Sequence, residues 1–414
     1  LVYASVFYEA PVRYAQNADI RIEEEKMAVL IQELVGEYYG EHFYPAISGV
    51  AQSYNFYPYY PMKPEDGTVS LALGFGKTIV EGERTFRFSP AYPKLNPLVS
   101  SPREQMSKAQ NLFYAVNLKK TANLTLQADE GYIYEKMSVS QAYKDGALEY
   151  IGSTYSAEND CIYDNVNHTG LKLVTFAPIL KYDRIPITKI IQDLMLMGKK
   201  AFGSDVEIEF AVNIPKNKDQ IVEFNFLQIR PIVIGREAHQ VNLEDTINTW
   251  CHSKQTIGNG YYDDIKDIIY VDPEKFDLKE SMEIAKEIGM LNKLLAKEGR
   301  RCVLIGFGRI GTADRWLGIP LTWEQMSQSL IIVEVERREL RPEPSLGSHF
   351  FHNLTATGMG YFHVPFAAEH GTIDWQWLLS QPVLQQTKYV KLIRRKEPFI
   401  VKIDGKNFQG VIYK

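Results

Sequence analysis

The sequence predicts a mixed α/β chain of α+β character in two domains, and three observations carry that prediction. A helical pattern over residues 187–202 runs directly into two neighbouring strand patterns, VEIEFAV (206–212) and VEFNFLQIRPIVI (222–234). Beyond residue 262, strand and helix patterns alternate as βαβαβ, the order of an α/β domain with some parallel pairing. The 414 residues exceed what one hydrophobic core usually supports. A polar and glycine-bearing stretch at 235–262 reads as the boundary. The expected organisation is therefore a region at 1–240, a linker at 241–262 and a second α/β domain at 263–414.

Composition narrows the class. With 45% hydrophobic and 23% charged residues the chain is globular. Lys plus Arg is 46 and Asp plus Glu is 51, so the net charge of −5 argues against a nucleic-acid partner, whose footprint is a positive excess. Cys161, Cys251 and Cys302 are scattered and form no ladder, which fits a reducing, cytoplasmic setting. Apolar runs fall short of the roughly 20 residues a membrane span needs, so no membrane partner is expected. The start, Leu1 followed by VYASVFYEAPVRYAQ, lacks the basic region and cleavage site of a signal peptide; the expectation is a piece trimmed from a longer protein.

The elements follow in order. MAVLIQELV (27–35) is apolar and rich in branched residues, the pattern of a buried strand. SGVAQSYNFY (48–57) and TVSLAL (68–73) follow as strands, the second ending in the glycine pair GFG at 74–76. Ser101-Pro102-Arg103-Glu104 is a helix start, with a capping serine and a first-turn proline, and the helix is predicted to run through MSKAQNLFYAV. Short strands and turns, Lys144-Asp145-Gly146 among them, fill 117–182. In the helix at 187–202, Ile187, Ile190, Ile191, Leu194, Met195 and Met197 favour one face, and Gly203 ends it in the left-handed conformation. In the second domain DIIYV, a helix over 278–298, RCVLIGFG, a short helix around TWEQMSQ and LIIVEVE alternate, and PFIVKI, Asp404-Gly405 and KNFQGVIYK form a closing hairpin.

Three constellations could carry chemistry. Glu207 and Glu209 lie two apart on one strand and so share a face; the next strand carries Gln228 and Arg230, also two apart. Hard oxygens in this pattern suit Mg²⁺ shared with substrate phosphates, and the guanidinium is a fork for phosphoryl oxygens. The competing reading is a solvated face with ordinary ion pairs. Second, in LGFGK (73–77), Gly74 and Gly76 would let the backbone approach a ligand and Lys77 could face a phosphate, a plain tight turn being the alternative. Third, Gly306, Gly308 and Gly311 have GxGxxG spacing after a strand, with Glu334 or Glu336 near the distance of a ribose-binding acid. A dinucleotide site needs a helix after the glycines, and Gly318 and Pro320 interrupt any helix in TADRWLGIP. The histidines show no metal spacing; His349 and His352 could share a helix face without a third ligand.

The order of these pieces resembles a known family. MAVLIQELV, SGVA, LGFGKTIVEG, RFSP, a helix ending KKAFG, VEIEF and LQIRPI together resemble the nucleotide-binding domain of phosphoenolpyruvate synthase and pyruvate phosphate dikinase. The likeness covers about residues 10–235 and is most specific in the acidic strand paired with Gln-x-Arg-Pro. It implies a partial ATP-grasp domain, lacking its amino-terminal part, followed by the second smaller α/β domain; residues 260–414 look like the tail of a bacterial group of such proteins. It also implies ATP and Mg²⁺ as ligands, with Gln32 near adenine, Gly74, Gly76 and Lys77 along the nucleotide cleft, and Gln228 on metal and phosphates. Glu207 and Glu209 would hold the metal, and Arg230 with Glu209 would serve transfer. Lys77 stands where the family usually has glutamate, a reversal of charge.

The function so implied is the ATP-binding part of a phosphotransferase that passes phosphoryl towards a carrier histidine and pyruvate. Pyruvate and phosphoenolpyruvate would be met through other domains, and this piece alone is expected to show no turnover. The alternatives are a non-catalytic nucleotide-sensing or interaction protein on the same fold, and a nucleotide-cofactor oxidoreductase using Gly306–Gly311.

Overall fold

A computed structural model describes residues 28–56, 58, 61–95, 101–121, 130–216, 220–232, 241, 248–342, 359–405 and 407–414, with 2–5, 7 and 12 near the start. The chain divides into two compact units, Leu30–Val233 and a second formed mainly by Ile234–Lys414. It is a mixed α/β structure of several sheets and few helices, as predicted. Among the described residues no helix is long and apolar enough to cross a membrane.

The first unit is organised on an antiparallel five-stranded sheet, ordered Glu223–Pro231, Val206–Asn213, Ile47–Gln52, Thr68–Ala72 and Phe86–Phe88. Alternation gives the sheet one apolar and one polar face. Ile47, Ala51, Val69, Leu71, Ile208, Phe210 and Val212 enter the main core. Helix Ile187–Phe202 contributes Ile187, Ile191 and Met195 to that core, each such side chain worth roughly 1.5–3 kcal/mol of burial. Gly198 lets the helix approach closely, because a Cβ there would lie 2.7 Å from Ile229 and 2.9 Å from Val206. Gly203 closes the helix at φ +67°, as the sequence predicts, whereas Met197 faces outwards.

Two expectations are corrected here. Residues 28–36 form no strand, and Leu30 and Ile31 are 81% and 91% exposed; an apolar run alone cannot distinguish a buried strand from an extended segment outside a sheet. The helix capped by Ser101, whose hydroxyl accepts the Glu104 N–H, ends at Lys108 instead of running through NLFYAV. The Gln110 amide takes the Leu73 N–H at 2.8 Å and donates to the Leu73 carbonyl at 3.0 Å, drawing the chain away so that Leu112–Asn117 becomes a strand of a separate four-stranded sheet.

The second unit has a seven-stranded sheet in which Asp267–Val271, Cys302–Phe307, Ser329–Val335 and Gly360–Val364 run parallel. Helix Ser281–Lys297 connects the first two, burying Ile284, Ile288, Leu291 and Leu295. The short helix around TWEQMSQ is a 3₁₀ turn, Trp323–Met326. Thr249–Ser253, Thr256–Ile257 and Gly260–Tyr262, within the stretch expected as linker, are strands. Val401–Asp404 and Gln409–Tyr413 form the closing hairpin.

Candidate functional site

Register decides which polar groups meet. Glu207 lies opposite Arg230 and Glu209 opposite Gln228 on one side; on the other, Glu207 lies opposite Gln52 and Glu209 opposite Val50. Gln52 and Val50 in turn face Thr68 and Ser70, and Ser70 faces Arg87. Directly opposed residues share a face, so the predicted quartet occupies one face, opposite the one packed on the helix.

Within that quartet Arg230 is the bridge. Its Nε and Nη2 donate to Glu207 Oε1 at 2.9 and 2.7 Å, and Nη2 also donates to Glu209 Oε1 at 2.9 Å. The other Glu207 oxygen accepts the Gln52 amide at 2.7 Å. The Glu207 side chain is fully buried, while those of Glu209 and Arg230 are 27% and 30% exposed. A carboxylate removed from water is tolerated only when paired and hydrogen-bonded, and Glu207 has both kinds of partner. Glu209 and Gln228 form the open rim.

A β-bulge sets this geometry. Glu209 pairs with Gln228 but Phe210 pairs with Phe226, leaving Leu227 as the extra residue. The bulge keeps Gln228 and Arg230 beside the acids while Phe224 stacks on Phe210, ring centres 4.8 Å apart. Gln32 donates its amide to the Leu227 carbonyl at 2.9 Å, so it lies at the strand edge beside Gln228.

The glycine loop occupies the other end of the same face. Gly74 has φ +78°, and a Cβ there would lie 2.6 Å from the Phe113 ring and the Tyr114 carbonyl oxygen. The Gly74 carbonyl accepts the Ser48 hydroxyl at 2.6 Å. After Gly76 the short helix Lys77–Val80 begins, and its Ile79 packs on Val50 and Ala72, which project from the polar face. Lys77 pairs with Glu81 at 2.7 Å and lies 5.7 Å from the ring centres of Tyr114 and Tyr134. Burial, then the Glu81 hydrogen bond, push the Tyr114 hydroxyl well above its ordinary pKa and keep it a donor.

Two residues of this face escaped the sequence reading: Gln52 and Arg87. The only local signal for Gln52 is an amide ending an otherwise small and apolar strand, and for Arg87 the alternation of FRF.

The third constellation is not a dinucleotide site. Gly306 lies within a strand; Gly308 and Gly311, at φ +70° and +78°, flank Arg309–Ile310, which pairs in parallel with Gly318–Ile319. No helix opens there. Glu334 is 2% exposed and accepts the Ile310 N–H at 2.7 Å and the Tyr361 hydroxyl at 2.6 Å, so it is enclosed rather than offered to a ribose. His349 and His352 lie outside the described residues.

Among the described residues no group of three or more His, Cys, Asp or Glu could hold a metal. Glu207, Glu209 and the Gln228 amide oxygen are nonetheless hard donors of the type Mg²⁺ takes, and an ion that keeps water and shares substrate phosphates needs only one or two carboxylates. The residues therefore fit such an ion in donor type. In comparison with known families, the model of the pyruvate phosphate dikinase AMP/ATP-binding domain matches residues 1–249. No curated protein matches the chain.

Proposed function

Because the chain belongs to the family of the pyruvate phosphate dikinase AMP/ATP-binding domain, we propose that the polar face of its five-stranded sheet receives the phosphates of ATP with Mg²⁺. The observation that carries this reading is Arg230 bridging Glu207 and Glu209 on one sheet face, with Gln228 exposed beside them. In this reading Glu207 is the anchor that orients Arg230, held in turn by Gln52. Glu209 and Gln228, at the open rim, would hold the ion, which when bound neutralises charge on the phosphoryl oxygens; Glu207, expected from the sequence as a further metal ligand, is fully buried with both oxygens engaged by Arg230 and Gln52. Arg230 provides a planar donor for those oxygens. Gly74 and Gly76 line the cleft, Lys77 lies at its far end, and Gln32 sits near the base. The phosphoryl group is destined for a carrier histidine and then pyruvate, as in the family. Catalysis of this kind rests on positioning and charge neutralisation, not on covalent work by the protein.

Calorimetric titration of Mg²⁺-ATP into wild type, Glu209→Gln and Arg230→Gln tests the reading. Wild type is expected to bind, with each variant weaker by on the order of 10-fold or more. Equal binding by all three, or none by wild type, would overturn it. Binding without phosphate release in the presence of pyruvate, measured on the full-length protein, would move the reading to nucleotide sensing.

A further inference from the structure

The glycine loop is held by a side chain to which the proposed roles assign nothing. Strand Thr68–Ala72 pairs with Ile47–Gln52 as far as Ala72, opposite Ser48, and with Phe86–Phe88 only as far as Leu71. At Leu73, past both pairings, the Gln110 amide takes the part of a strand neighbour. Its Oε1 accepts the Leu73 N–H at 2.8 Å and its Nε2 donates to the Leu73 carbonyl at 3.0 Å, the double exchange of a hydrogen-bonded antiparallel pair. Nε2 also donates to the Leu112 carbonyl at 3.0 Å, at the start of Leu112–Asn117, and the Gln110 backbone bridges Val174. One residue, 4% exposed, thus joins the five-, four- and three-stranded sheets where the glycine loop begins.

The rest of the loop is equally committed. The Gly74 N–H donates to the Pro45 carbonyl at 3.3 Å and its carbonyl accepts the Ser48 hydroxyl at 2.6 Å. The Phe75 N–H donates to the Tyr114 carbonyl at 3.0 Å and its carbonyl accepts the Thr78 N–H at 3.2 Å. From Leu73 to Phe75 every backbone N–H is therefore spent inside the protein, whereas a phosphate-binding nest turns such groups outwards. What the loop offers a ligand is shape. Gly76 is partly exposed, its φ is −58°, and a Cβ there would lie 3.7 Å from Ser48 Cβ, an ordinary contact. The fold thus requires a glycine at 74 and none at 76. A glycine that backbone conformation and packing do not demand leaves room for a ligand against the main chain. Ser48 lies four residues along its strand from Gln52, and so about 13 Å from the row that Gln52 shares with Glu207 and Arg230. With Lys77 paired to Glu81, this end of the face suits an uncharged part of the ligand.

We infer that Gln110 is a positioning residue of the cleft: it fixes the glycine loop as a preformed wall, and the nucleoside part of the ligand packs against that wall at Gly76. This rests on the polar face being the nucleotide site, and it adds which residue holds the loop and which part of the ligand the loop meets. A wall already in place spares the ordering cost that a mobile loop would pay on binding.

Amide hydrogen exchange, unfolding midpoints and Mg²⁺-ATP titrations at low and high salt test it on wild type and four variants. These are Gln110→Met, close in volume but unable to make the bonds, Gly76→Ala, Arg230→Gln, and Met195→Ala as a control in the core on the other face of the sheet. Gln110→Met is expected to speed exchange at Leu73–Phe75 by about 10-fold beyond any change at Ile208, and to weaken ATP by about 10-fold. Met195→Ala should lower the unfolding midpoint at least as far and leave ATP affinity unchanged. Gly76→Ala should weaken ATP with an unfolding midpoint equal to or above that of wild type. Its loss should be the same at both salt concentrations, whereas that of Arg230→Gln shrinks as salt screens the phosphates. Exchange in the loop that rises no more than at Ile208, or Met195→Ala weakening ATP as much as Gln110→Met, would overturn the positioning role. A salt-dependent loss in Gly76→Ala would overturn the nucleoside assignment. ATP lost in Arg230→Gln but kept in Gln110→Met and Gly76→Ala sinks the inference and leaves the nucleotide reading standing. The opposite pattern keeps the wall and removes the phosphates from Arg230, and wild type binding no ATP removes both.

Discussion

Two segments of this molecule carry the same short pattern, Glu-x-Glu, and use it differently. In the first unit Glu207 and Glu209 are bridged by one guanidinium from the next strand. In the second unit Glu334 and Glu336 are held apart: Glu334 by the Ile310 N–H and the Tyr361 hydroxyl, Glu336 by the Phe366 N–H and by His363 at 3.5 Å. Each unit also carries a glycine loop with positive φ, at Gly74 and at Gly308. The first pair keeps an open rim at Glu209; the second buries Glu334 so thoroughly that its pKa rises. Spacing of acids and glycines therefore does not make a phosphate site. What distinguishes the two is an arginine delivered across the register and a carboxylate left facing outwards.

The comparison breaks most decisively at the bridging arginine. Arg230→Ala leaves Glu207 buried without its guanidinium, at a cost of about 3 kcal/mol in urea unfolding. Removing the hydroxyl over Glu334, in Tyr361→Phe, should cost about half as much, because one hydrogen bond is lost and no cation. Equal costs would show that the two acid pairs are held by similar forces after all. The glycines sharpen the contrast. Gly74→Ala and Gly308→Ala each force a side chain into the left-handed region, against the Tyr114 and Leu317 carbonyl oxygens respectively, both 2.6 Å from the Cβ position. Each should cost about 1–3 kcal/mol. Only Gly74→Ala should also weaken Mg²⁺-ATP, and wild type should give no NADH fluorescence titration; NADH binding abolished by Gly308→Ala would reopen the dinucleotide reading.

How much of this was legible beforehand follows the range of the forces involved. Helix Ile187–Phe202 and its Gly203 cap are local features of periodicity and backbone freedom, and they were readable. That Glu207 and Glu209 share a face followed from strand alternation. That Glu207, and not Glu209, lies opposite Arg230 depends on the register beyond a bulge at Leu227, which no local pattern announces. Gln52 and Arg87 were invisible for a stronger reason: Gln52 meets Glu207 across 155 residues, and strand pairing that remote leaves no trace in either segment. Residues 28–36 failed in the opposite direction, because a strand-like run reports hydrophobicity but not whether anything covers it. The helix from Ser101 was overextended because a side-chain contact from Gln110 to the Leu73 backbone overrode local propensity.

The acid pairs also differ in their response to pH. Burial raises Glu334, so the folded chain keeps that proton to higher pH than the unfolded chain does. The folded state then binds more protons above the ordinary carboxylate value of about 4.3, and stability falls as pH rises from there. For Glu336, burial alone would raise the value, but hydrogen bonds from His363 and the Phe366 N–H prevail and lower it. Its contribution is present above about 4.3 and is lost as pH falls through the folded value. Glu334→Gln should flatten the decline on the upper side and Glu336→Gln the decline on the acid side, both measured as unfolding midpoints against pH. A profile unchanged by either substitution would show that these carboxyls do not titrate differently on folding.

The smallest effect belongs to Lys77, the residue whose charge departs from the family pattern. Its ammonium is already paired with Glu81 at i,i+4 and lies near the Tyr114 and Tyr134 rings, with a third of its side chain exposed. An exposed helical pair of this kind contributes about 0.3–0.5 kcal/mol, so Lys77→Ala should barely move the unfolding midpoint. For binding, the cation is at the loop end of the face, beyond Val50 and Ala72, whereas the acids and Arg230 cluster at the other end. A loss of ATP affinity of a few-fold, declining with salt, is what a neighbouring and partly neutralised charge should give. A loss as large as that of Arg230→Gln would mean that Lys77 leaves Glu81 to contact phosphate directly, and the centre of the site would then shift towards the glycine loop.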